Sequence, residues 1–100
     1  MPEMWINRLT VIGPQYRLKR FQESNWNRHL KAIHGELLEN SPGRIAWQFE
    51  SPRAVPDRLR QLSRRWPKLI FLLDHEQGVQ RKKGFVKAQA GQIAHFQFDY

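Results

Sequence analysis

The apolar positions between Ile45 and Gly78 change period twice. Ile45, Trp47 and Phe49 alternate with Ala46, Gln48 and Glu50, as in a strand with one apolar face. Val55, Leu59, Leu62 and Trp66 then recur at spacings of four, three and four. That is the stripe of an amphipathic helix over residues 52–66, which Ser51 can cap, with Pro52 in its early turn and Pro67 at its end. Residues 69–73 are apolar at every position, the pattern of a central strand buried on both faces. Strand, helix and strand in so short a stretch mark a compact α+β module.

The same reading extends toward both ends. Residues 5–12 are rich in β-branched and aromatic side chains, carry apolar groups on both faces and stop at Gly13-Pro14, which predicts a central first strand. Pro14, with Tyr16, Leu18 and Phe21 behind it, predicts a short helix over 14–24. In residues 26–43 the spacing of Trp26, Leu30, Ile33, Leu37 and Leu38 fits a helix, Gly35 interrupts it, and a short strand fits as well. Asn40-Ser41-Pro42-Gly43 signals a turn. Glu76-Gln77-Gly78 predicts a hairpin turn into residues 79–89, and Ala90-Gly91 a further turn into a last strand over 92–98.

These segments carry a resemblance. Trp5-x-Asn7-x-Leu9-Thr10-Val11-x-Gly13, Trp47-x-x-x-x-Pro52, Leu62-Ser63-x-x-Trp66-Pro67-x-Leu69-x-Phe71 and Glu76-x-Gly78 with Gly84 after it resemble the YubB-type ferredoxin-like domain family. That family comprises bacterial proteins, many from plasmids and phages, without an established activity, so the resemblance implies a fold and a mobile-element setting. The chain departs from the family pattern at Ile6, where a small or cysteine residue is usual, and in a shorter middle section over residues 26–43, which leaves the number and order of the central strands open. The expected fold is α+β: one ferredoxin-like domain over residues 1–100, with two helices (14–24 and 52–66) packed on one face of a largely antiparallel β-sheet. Leu9, Val11, Phe21, Trp47, Phe49, Leu59, Leu62, Phe71 and Leu73 are its expected core; the other sheet face is either open or covered by residues 26–38, by the C-terminal strand or by another subunit, and what stays uncovered is where function or oligomerisation would reside.

Composition narrows the chemistry. One hundred residues make a single core, and 40% apolar content with 12% aromatics suits a folded chain. With no cysteine there are no disulfides, no thiolate nucleophile and no sulfur-ligated zinc site. No apolar run approaches the roughly 18–20 residues of a membrane span, and residues 1–5 lack the basic-then-apolar pattern of a leader; the expectation is a cytoplasmic protein without membrane contact. His29, His34, His75 and His95 are scattered without a metal-ligand spacing. Asp74-His75-Glu76 could hold a general base, yet no nucleophile or second carboxylate pair accompanies it, so it reads as an exposed hairpin end. Neither an enzyme nor a small-molecule cofactor is expected. Trp5 and Asn7 share a strand face and read as structural.

Charge is the sharper clue. Seventeen Lys and Arg against nine Asp and Glu leave +8. Arg53, Arg60 and Arg64 fall opposite the apolar stripe of the 52–66 helix, while Arg58 and Arg65 flank it; Arg81, Lys82, Lys83 and Lys87 follow in a stretch, residues 81–98, that holds no acid. Phosphates are natural partners for such groups, because each contact releases counterions and arginine can bind two oxygens. Lys83-Gly84-Phe85-Val86 is similar to a fragment of the aromatic strand motif of RNA-recognition domains, although Lys87, Ala88 and Gln89 stand where further aromatics would be, and Phe85 can face ligand or core. The leading expectation is a non-enzymatic module that binds nucleic acid through Arg58, Arg65, Arg81, Lys82, Lys83 and Lys87. The alternative is a protein-interaction module working through a sheet edge or face, with an acidic protein or a second copy of itself as partner.

Overall fold

A computed structural model describes residues 4–100. Met1–Glu3, part of the opening read above for a leader, lie outside the described residues. The chain runs β1 (Trp5–Ile12), α1 (Gln15–Gln22), α2 (Trp26–His29), β2 (Ile33–Ser41), β3 (Arg44–Ser51), α3 (Pro56–Arg65), β4 (Ile70–Gln77), β5 (Lys82–Gln89) and β6 (Gln92–Asp99). All six strands join one antiparallel sheet in the order β2-β3-β1-β4-β5-β6. The apolar β1 and β4 therefore sit in the middle, as their two-faced pattern requires.

Period-two alternation decides which side chains meet the helices. Leu9 and Val11, Ile45, Trp47 and Phe49, Phe71 and Leu73, and Val86 and Ala88 turn to one face, where Leu18, Phe21, Trp26, Leu59 and Leu62 cover them. Phe21 lies at the centre of an aromatic cluster, within 6.0 Å, centroid to centroid, of Trp26, Trp47, Trp66 and Phe71. The core residues expected from the sequence are all buried.

The expected ferredoxin-like sandwich with two helices is corrected. Three small helices pack weakly on a six-stranded sheet, giving an α+β fold with a sheet-dominated core. An eight-residue strand spans about 26 Å, whereas the eight residues of α1 and the ten of α3 span only about 12 and 15 Å. Ser51 does not cap the third helix. It ends β3, donates its hydroxyl to Arg53 O at 2.7 Å and leaves the helix to begin at Pro56, so Pro52 and Arg53 are not helical. Residues 26–43 resolve into both forms left open by their pattern: one helical turn, then edge strand β2. The turn between is a left-handed Lys31 at φ 53°, with Ala32 N–H donating to Asn27 O at 2.8 Å, a Schellman closure without its usual glycine. Among the described residues no helix is long and apolar enough to cross a membrane.

Candidate nucleic-acid interface

Among the described residues, no layer covers the face opposite the helices. Across it the register sets parallel rows: Glu50, Ile6, Glu76, Lys83 and Phe98 in one; Gln48, Arg8, Asp74, Phe85 and Phe96 in the next; Ala46, Thr10, Leu72, Lys87 and Ala94 in a third. Phe85, Phe96 and Phe98 are 39%, 67% and 56% exposed, far above what their bulk predicts for a folded domain. Lys83 and Lys87 stand on either side of Phe85 along β5, two residues apart from it and so on its face. At the Lys83 end the register continues through the turn: Tyr100 donates its N–H to Arg81 O at 2.8 Å, and the Arg81 guanidinium lies 5.6 Å from the centre of the Tyr100 ring. Aromatic faces and cations thus interleave over β5 and β6. Among the described residues no carboxylate lies within 4 Å of Arg81, Lys83 or Lys87.

Toward β4 and β1 the same face changes character. Ile6, Arg8, Gln48, Asp74, Glu76 and Lys83 line a shallow depression of about 310 Å³, where basic and acidic groups alternate. Anions are favoured over β5 and disfavoured over Asp74 and Glu76, so the face has a direction.

The six basic residues expected to act together are divided. Lys83 and Lys87 share the open face, and Arg81 adjoins its end. Lys82, half-buried, points to the helix side between Gln77 and Asp99. Arg58 and Arg65 lie on α3, across the sheet; Arg58 donates to His29 O at 3.3 Å and fastens α2 to α3. The sequence reading passed over Phe96 and Phe98, although their alternation along a strand without Lys or Arg placed them on one face. The aromatics missing after Phe85 on β5 come from the neighbouring strand.

Asp74, His75 and Glu76 do not form a site. Asp74 and Glu76 face the open side, while His75 turns inward, 2% exposed, against the Trp5 ring at a centroid distance of 4.9 Å and above Gly84. The exposed hairpin end expected there is a buried imidazole. Burial pulls its pKa from the ordinary 6.5 down to about 4, helped by the His95 imidazole and opposed by the Asp74 carboxylate. Asn7, its register partner on β1, is buried and donates to Ser51 Oγ at 2.9 Å, a structural role. Among the described residues no group of three His, Asp or Glu side chains is disposed to hold a metal.

Comparison with family models, with curated proteins and with solved structures returns no match to this chain.

Proposed function

We propose that the protein binds single-stranded nucleic acid on its open sheet face, over β5 and β6. One observation carries this: three exposed phenylalanines, Phe85, Phe96 and Phe98, share a face with Lys83 and Lys87, and the Arg81–Tyr100 pair adjoins its end. Bases offer π-faces to such rings, each stack contributing about 1–3 kcal/mol, and lysines beside them meet the backbone phosphates. Duplex DNA fits less well, because its bases are already stacked and its phosphates would spread over Asp74 and Glu76. The chemistry is recognition, with no bond made or broken. Arg58, Arg65 and Lys82 stand outside this surface and serve the general positive field that speeds encounter.

The test is a titration of the protein into labelled single-stranded RNA, single-stranded DNA and duplex DNA at low and near-physiological salt. Tighter binding to single strands, persisting at physiological salt and lost in Phe96→Ala and Phe98→Ala, supports the reading. Equal binding to every polyanion, vanishing as salt rises, overturns it.

A further inference from the structure

We infer that the free edge of β6 pairs antiparallel with β6 of a second copy, joining two sheets into one of twelve strands. The inference does not rest on nucleic-acid binding. The Tyr100 N–H to Arg81 O bond fixes the parity of the strand: Ala94, Phe96 and Phe98 direct their backbone groups inward to β5, and Ile93, His95 and Gln97 direct theirs outward. Those outward groups form an unpaired ladder on a strand of regular register.

The two edges of the sheet differ in how they are guarded. β2 carries two register shifts, a left-handed His34 at φ 54°, and Glu36 and Glu39, all of which discourage strand addition. β6 has no bulge, no proline and no Lys, Arg, Asp or Glu from Gln92 to Phe98. On a molecule of net charge +8 it is an edge strand that sets no cation of its own against a like-charged copy.

Self-complementarity selects the register. With Phe96 of one copy opposite Phe96 of the other, Ala94 meets Phe98 on the open face, and His95 meets Gln97 on the helix side through the outward backbone groups. Moving the axis by one residue instead sets His95 against His95 and leaves Phe98 facing Gln92. In the first register Phe85 and Phe96 of both copies form one row across the seam; on the open face Lys83 and Lys87 stay one strand back on each side, and Arg60 and Arg81 stand only at the two ends of β6.

The chain has no cysteine, so single introduced cysteines report the pairing. Under mild oxidation Phe96→Cys is expected to cross-link efficiently and His95→Cys poorly, while the wild type sediments as a concentration-dependent dimer. Gln97→Pro removes an outward N–H without touching the β5 ladder and is expected to abolish the dimer at unchanged circular dichroism. If that variant does not fold, Phe96→Lys, an exposed position, serves the same purpose. A wild type that stays monomeric at every concentration, a dimer that survives the folded edge variant, or cross-linking as efficient from Gly35→Cys on β2 as from Phe96→Cys overturns the inference.

Discussion

His75 is the residue whose environment most departs from what its neighbours suggest. It follows Phe71 and Leu73 on the inward face of β4, yet it lies between Asp74 and Glu76, and those carboxylates disguise its burial in the sequence. The odd-numbered alternation along the strand was the signal that located it. With a folded pKa near 4 against 6.5 in the unfolded chain, the unfolded state takes up a proton first as pH falls. His75 therefore leaves stability unchanged above about pH 7 and lowers it progressively from pH 6.5 to 4, by roughly 2–3 kcal/mol over that window. Urea denaturation at a series of pH values should show this slope in the wild type and lose most of it in His75→Phe. Gly84 is tied to the same site: a Cβ there would collide with His75 Nε2 and stand 2.9 Å from Phe96 O. Gly84→Ala is expected to cost about 1–3 kcal/mol by the same assay, because the second contact is backbone and cannot swing away.

Elements were legible where period and length agreed. β1, β3 and β4 follow from alternation or from apolar runs, β5 and β6 from the turn signals before them, though Glu76 and Gln77 extend β4 and the turn runs over residues 78–81; α3 follows from its stripe, whose buried Leu59 and Leu62 are where the spacing puts them. Boundaries failed where a side chain made a tertiary bond instead of a cap: Ser51 accepts from Asn7 across the sheet, and the helix starts later. β2 was ambiguous because Ile33, Leu37 and Leu38 fit helical spacing, while β3 offers a strand edge to pair with. Gly35 interrupts the helical pattern in the sequence, but in the structure Lys31 already closes the helix in a left-handed turn. Lys31→Gly is accordingly expected to stabilise the fold by about 0.5–1 kcal/mol, read from the thermal midpoint. α3 is held to the β5–β6 turn by Gly91 N–H donating to Ser63 Oγ at 2.9 Å and Arg60 Nε donating to Gly91 O at 3.1 Å. Ser63→Ala orphans the buried Gly91 N–H and should cost about 1–3 kcal/mol in a urea titration.

For the whole molecule, the division of the sheet into a covered and an open face determines what it can do. Basic residues close in sequence were grouped as one surface, but alternation sends Lys82 and Lys83 to opposite faces and α3 carries Arg58 and Arg65 away from both. That separation was readable only once Phe85 had been assigned to the open face, because its strand alternates Gly84, Val86 and Ala88 inward. Phosphate contact by Lys83 and Lys87 predicts that Lys83→Gln with Lys87→Gln lowers the slope of log affinity against log salt by about 1.4 for a single-stranded ligand. Arg58→Gln with Arg65→Gln should leave that slope nearly intact, since those groups do not reach the bound strand. Nitrogen–proton NMR of the labelled protein titrated with a short single-stranded oligonucleotide locates the bound strand residue by residue. Shifts are expected on the amides of β5, β6 and residue 81, with α1 and α3 unmoved. Shifts centred on Arg58, Arg65 and the remainder of α3 would contradict binding on the open face.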